Sequence, residues 1–150
     1  MTSVFGTIFL TRSIRRRTIV PMKIIADTNT FIAVALNEPE KGKIIRLTKG
    51  HDLISPDVLP FEIGNALTAM MKKNTLKKEE VASAWEVVQQ IPVDLRHTNI
   101  KSALRIALEF NIYAYDAYFL ECADNLRSPL LTLDRGMQRV AWEIGITIWG

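Results

Sequence analysis

Short apolar runs of strand length alternate with amphipathic stretches of helix length along most of this chain, and few folds accommodate that pattern. Lys23-Ile24-Ile25-Ala26-Asp27, Asp52-Leu53-Ile54, Pro92-Val93-Asp94, Leu130-Leu131-Thr132-Leu133 and Ile146-Thr147-Ile148-Trp149 read as strands. Between them the periodicity predicts helices over Thr30 to Leu36, Glu38 to Lys49, Leu59 to Lys73, Leu76 to Gln90, Asn99 to Phe110, Asp116 to Leu126 and Arg135 to Ile144. Gly50 closes the second of these, Ser55-Pro56-Asp57 is a start signal for the third, and Ser128-Pro129 breaks the pattern before a late strand. Strands that are apolar on both faces belong in a parallel sheet, and the helices that join parallel strands cover its two faces. The expected fold is α/β, a three-layer α/β/α domain with a short-stranded parallel sheet.

At 150 residues, 48% hydrophobic and 23% charged, the chain is one globular domain's worth of sequence. Its one cysteine, Cys122, excludes a disulfide framework and a cysteine-based metal site, so a reducing cytoplasm is the expected compartment. No apolar run reaches the roughly 20 residues that span a bilayer. The net charge of +3 is misleading. All four arginines of residues 1–21 (Arg12, Arg15, Arg16, Arg17) stand in a segment without acids, and the remaining 15 basic and 16 acidic residues give residues 22–150 a net charge of −1. Bulk charge therefore offers that part no attraction for nucleic acid. Because Met22-Lys23-Ile24-Ile25-Ala26 opens directly into a buried strand, residues 1–21 read as a leader or arm, native or not, and residues 22–150 as the domain.

Four carboxylates stand where apolar segments end or helices begin: Asp27, Glu62, Asp116 and Asp134. In a parallel sheet, binding sites form beyond the carboxyl ends of the strands. Asp27 and Asp134 fall at such ends, and Glu62 and Asp116 begin helices that can reach the same edge. Taken singly, Asp27, Asp116 and Asp134 also suit helix N-caps, whose side chains accept the free N–H groups of a first turn. Glu62 does not, because it follows Pro60 and sits past the first turn between Phe61 and Ile63. Four like charges at one edge would repel unless a divalent cation neutralised them. Asn65, three residues after Glu62, and Thr132, two before Asp134 on the expected strand, share faces with acids and suit orienting a ligand or a water.

Other chemistry lacks its residues. His51 and His97 are isolated, there is no glycine-rich phosphate loop or nucleophile elbow, and the lysines Lys72, Lys73, Lys77 and Lys78 mark a helix–helix corner able to contact phosphates. An aspartyl phosphatase would need a second Asp two residues after Asp27, where Asn29 stands. No aromatic stacking platform is evident. Trp85 and Val88 on the fourth helix suit either core or an interface.

Ile24-Ile25-Ala26-Asp27-Thr28-Asn29, Glu62-Ile63-Gly64-Asn65-Ala66-Leu67, Tyr115-Asp116-Ala117-Tyr118 and Leu131-Thr132-Leu133-Asp134, in this order, resemble the PIN-domain ribonucleases, and among them the toxins of VapBC-type toxin–antitoxin pairs. Each motif alone is weak, but the ordered set spans residues 22–150. The resemblance implies an Mg²⁺- or Mn²⁺-dependent endoribonuclease acting on structured RNA such as tRNA or rRNA. Asp27, Glu62 and Asp116 would hold one metal, Asp134 would complete a second or water-mediated site, and Thr132 and Asn65 would orient water or a ligand. It also implies a homodimer and a cognate antitoxin that blocks the site. The alternative is a non-catalytic RNA- or protein-binding module that keeps the fold. The leader departs from such toxins, which usually lack one.

Overall fold

The structure, a computed structural model, describes residues 20–150; the leader expected over residues 1–21 lies almost wholly outside them. Its elements run β1 (Lys23–Ala26), α1 (Thr28–Ala35), α2 (Lys41–Thr48), β2 (Asp52–Pro56), α3 (Leu59–Lys72), α4 (Lys78–Gln89), β3 (Asp94–Arg96), α5 (Ile100–Phe110), α6 (Ala114–Leu126), β4 (Leu130–Leu131) and α7 (Arg135–Glu143). The sheet order is β3-β2-β1-β4 and every pairing is parallel, with Ile25 of β1 between Ile54 of β2 and Leu130 of β4. The three-layer expectation holds, and the strand period of two shows why. Ile25, Ile54 and Leu130 enter one cluster with Phe31, Leu59, Ile63 and Phe119, whereas Ile24 and Leu131 enter a second with Ala33 and Ile44 of α2.

Three local expectations need correction. The final strand over Ile146 to Trp149 reduces to a single parallel bridge between Ile148 and Leu130. β4 is only two residues long, so Leu130 alone offers its outer edge, donating to Thr147 O at 2.9 Å and accepting from Trp149 N at 2.9 Å. β3 begins at Asp94 rather than Pro92, since proline has no N–H for the ladder. Asp57 does not cap α3; its carboxylate accepts from the Thr98 hydroxyl at 2.6 Å and ties the end of β2 to the segment after β3. On α4, Val88 is buried and Trp85 packs partly buried against the main core, so both belong to the core.

α6 carries the longest buried run of any described helix, Phe119 to Ala123, and meets α5 through Ala103, Ala107 and Ala117, whose small side chains let the helices approach closely. Phe119 is buried one turn beyond Asp116. Phe119→Ala is expected to cost about 3–5 kcal/mol of stability, a large share of what a domain of this size holds, and a urea titration would show it as a lower midpoint at unchanged slope.

Candidate metal-binding edge

The chain leaves β1 in one direction across the sheet, through β2 to β3, and returns to place β4 on the other side of β1. The carboxyl ends of β1 and β4 therefore frame the switch point at which open α/β sheets hold ligands. Asp27 follows β1 and Thr132 follows β4, and the Thr132 hydroxyl donates to Asp27 Oδ2 across the gap. Asp27 is buried and caps α1 as expected: its Oδ1 accepts from Thr30 N at 3.0 Å and from Thr30 Oγ1 at 2.7 Å. Cap and candidate site residue are thus one and the same.

Asp134 caps α7 through Met137 N at 2.8 Å. The strand expected to carry Thr132 and Asp134 on one side ends at Leu131 instead, and the two residues meet in a turn, where Asp134 N donates to Thr132 Oγ1 at 3.0 Å and Gln138 Nε2 donates to Thr132 O at 3.0 Å. The Thr132 hydroxyl thus couples two of the acids. Asp116 is not the cap expected of it: Tyr113 occupies that position, and Asp116 is half-buried in the first turn of α6, where an anion complements the helix dipole. Glu62, expected past the first turn, stands half-buried within the first turn of α3, which begins at Leu59; its Oε2 accepts from Thr28 Oγ1 at 2.6 Å.

Burial pushes the carboxyls of Asp27, Glu62 and Asp116 above their ordinary range. Each also feels its neighbours: Glu62 the charges of Asp116 and Asp27, and Asp116 those of Asp134 and Asp27. Threonine hydroxyls pull Asp27 and Glu62 back down without overcoming burial. Among the described residues the ion pairs are Asp94–Arg96 and Asp57–His97, so no lysine or arginine neutralises this group. The fold therefore gathers the acids within one another's field, and no ion pair among the described residues supplies a counter-charge.

Two parts of the expected site are not assembled in this way. Asn65 is exposed on α3, and its amide makes no hydrogen bond to any of the acids among the described residues. Nor do three acidic, histidine or cysteine side chains among the described residues stand close enough to enclose an ion as they are oriented, because Glu62 turns onto Thr28 and both Asp27 oxygens face threonines. The donor set is nonetheless all oxygen, which suits Mg²⁺ or Mn²⁺, and carboxylates with raised proton affinity and no protein cation have the electrostatics a divalent ion corrects. The residues fit such an ion.

Thr28 and Thr30 were not anticipated. Their signal was present in Asp27-Thr28-Asn29-Thr30, where a capping Asp is followed by hydroxyls in the first turn of its own helix. Thr132→Val, close in volume but without the hydroxyl, leaves Asp27 Oδ2 and Asp134 N without this partner and is expected to cost about 1–3 kcal/mol of stability, which a urea titration would show as a lower midpoint.

The sequence model of the family described as PIN domain matches residues 24–143. The chain is 25% identical over 119 residues to Ribonuclease VapC3 of Pyrobaculum aerophilum, covering 76% of this chain and 91% of that protein. Its fold is similar to the crystal structure of PAE2754 from Pyrobaculum aerophilum (TM-score 0.62, 20% identity, 81% of this chain and 87% of that one). It is also similar to VapBC2 from Rickettsia felis, solved bound to a DNA fragment from their promoter (TM-score 0.62, 13% identity, 86% of this chain and 100% of that one).

Proposed function

The chain belongs to the PIN-domain family, and from that premise we propose that it is a metal-dependent endoribonuclease, the toxin of a toxin–antitoxin pair, that cuts structured RNA such as tRNA or rRNA. The observation that carries this reading is the unneutralised acidic edge. Asp27, Glu62 and Asp116 share one electrostatic neighbourhood with Asp134, at the switch point of the sheet, and among the described residues no lysine or arginine pairs with them. The similarity to a relative named ribonuclease supports the same reading.

Asp27, Glu62 and Asp116 would hold Mg²⁺ or Mn²⁺, with Asp134 serving a second or water-mediated position. When bound, the ion would lower the pKa of a coordinated water and neutralise the phosphate that the water attacks. The protein's own part is positional. α1 fixes Asp27 through Thr30, Thr28 holds Glu62 beside it, and Thr132 locks the Asp27 and Asp134 segments together. A near-neutral domain relies on that ion to attract an anionic substrate.

Protein partners enter on the same footing: a cognate antitoxin, suggested by the VapBC complex among its structural relatives, and a second copy of the chain. Ile100, Leu104 and Leu108 form an exposed aliphatic stripe on α5 suited to protein contact. No described helix is long and apolar enough to cross a membrane, and a cytoplasmic site of action matches the RNA substrate proposed. The reading is tested by incubating the purified protein with total RNA from its own cell and added Mg²⁺ or Mn²⁺. Discrete cleavage products are expected, and intact RNA with both metals would refute it.

A further inference from the structure

Three of the four acids are each preceded by a large apolar residue that faces solvent: Phe61 before Glu62 (77% exposed), Tyr115 before Asp116 (44%) and Leu133 before Asp134 (38%). A single exposed apolar residue is ordinary, but three of them, each next to an acid of one electrostatic neighbourhood, form a group of the kind that marks interaction sites. Tyr115 is held edge-to-face on Tyr118, ring centres 5.8 Å apart, so one wall of the site carries an aromatic in fixed orientation. Phe61, next to Glu62, begins a row along α3.

Residues 61, 65, 68 and 72 follow one another at steps of four, three and four, which places them in a single line on a helix of 3.6 residues per turn. All four are exposed, and they are Phe61, Asn65, Thr68 and Lys72: a ring, an amide, a hydroxyl and an amine. The Thr68 hydroxyl donates back to the Gly64 and Asn65 carbonyls at 3.0 Å, so it leaves the row low and offers no free donor. Beside it, a Cβ added at Gly64 would meet nothing within 4 Å, so the flank of the row is open. From Phe61 to Lys72 the row is roughly 16 Å long at 1.5 Å per residue, room for a few nucleotides.

Resting on the ribonuclease reading, we infer that this exposed ridge of α3 receives the unpaired nucleotides beside the cleaved bond. Phe61 stacks on a base, Asn65 hydrogen-bonds its edge, and Lys72 pairs with a phosphate further along. Aromatic stacking with an amide for the base edge and a cation for the backbone is the combination by which proteins hold unpaired RNA. A protein-docking face looks different, and the aliphatic stripe on α5 supplies the contrast: it has no ring, and Ile100, Leu104 and Leu108 form a continuous apolar line. The ridge also gives a use to Asn65, whose amide makes no hydrogen bond to the acids among the described residues.

The test compares wild type with Phe61→Ala, Phe61→Trp and Lys72→Ala. Binding is measured in EDTA with labelled oligoadenylate and oligouridylate strands of about twelve nucleotides, and with an RNA duplex of equal length. KM and kcat are measured on total RNA with metal. Wild type is expected to prefer the single strands. Phe61→Ala should weaken their binding roughly 5- to 150-fold and raise KM more than it lowers kcat, while Phe61→Trp should restore affinity. Lys72→Ala should weaken all sequences alike and flatten the salt dependence by about one ion. Equal binding of strand and duplex, or Phe61→Ala affinities unchanged from wild type, would overturn the ridge; the latter is also the result expected of a ridge that serves a protein partner. If wild type cleaves RNA while Phe61→Ala is unaffected, the ridge fails and the ribonuclease reading stands. If wild type neither cuts nor binds RNA, both fail. Because Phe61 is exposed, its variants are expected to melt as wild type does.

Discussion

Asp27→Asn is expected to abolish RNA cleavage, by about 10³-fold or more, and at the same time to raise the melting temperature of the metal-free protein by a few degrees. Both effects come from one atom. An asparagine of the same size keeps its Oδ1 on Thr30 and turns an amide toward the Thr132 hydroxyl, so the cap of α1 survives. What disappears is a negative charge buried at 3% exposure, which a metal needs and the fold does not. Burial lifts the Asp27 carboxyl above its ordinary range, so the folded state binds its proton more tightly than the unfolded chain does. A group of that sign stabilises the fold when protonated, and its contribution is lost as pH rises through the raised folded value. At neutral pH the carboxylate is therefore a burden on the metal-free fold, and Asn removes it. Glu62→Gln should act in the same direction with a smaller stability gain, since Glu62 is only half-buried. Thermal melts in EDTA beside cleavage assays in Mg²⁺ measure the two halves. Asp27→Asn that cuts as wild type would remove Asp27 from the site, and one that melts far below wild type would mean that its charge supports the fold.

Removal of divalent metal is expected to stop cleavage completely, with activity returning on addition of Mg²⁺ or Mn²⁺ and not of monovalent salt. Asp27, Glu62 and Asp116 have no lysine or arginine among the described ion pairs. A phosphate approaching them without a cation would meet like charge, so the scissile phosphate is neither held at the acids nor cut. The same electrostatics predict a stability signature that needs no substrate. In EDTA, the melting temperature should fall as pH rises above the ordinary carboxylate range, because these raised carboxyls lose protons that only the folded state holds tightly. Millimolar Mn²⁺ should flatten or reverse that slope, since the ion takes the protons' place and binds the folded state alone. Cleavage that persists in EDTA, or a melting curve whose pH slope ignores Mn²⁺, would count against a metal held by these acids.

The layers were legible in the sequence because short apolar runs of strand length recur between amphipathic stretches of helix length, with turn signals at their borders. Ile24-Ile25-Ala26 and Leu130-Leu131 could hardly be read otherwise, and both are strands. Strand ends were harder. Thr132 and Asp134 alternate as strand residues do, yet β4 stops at Leu131, because the Thr132 hydroxyl, bonded to both Asp27 and Asp134 N, closes a turn there. Asp116 read as a cap because its neighbours suit a helix start, but α6 begins at Ala114 and leaves the acid inside the first turn. Phe61 and Tyr115 looked like ordinary apolar residues in the sequence, and only the packing leaves them facing solvent.

By itself, then, the sequence determined the alternation of strand and helix, the parallel sheet that follows from it and the four acids at segment ends, since each of these depends on local spacing and polarity. The tertiary structure alone decided which groups touch. Thr28 meets Glu62 from 34 residues away, and Thr132 meets Asp27 from 105 away. Contacts across such separations depend on strand order, and placing β4 beside β1 rather than beside β3 is a choice of packing that no local pattern encodes.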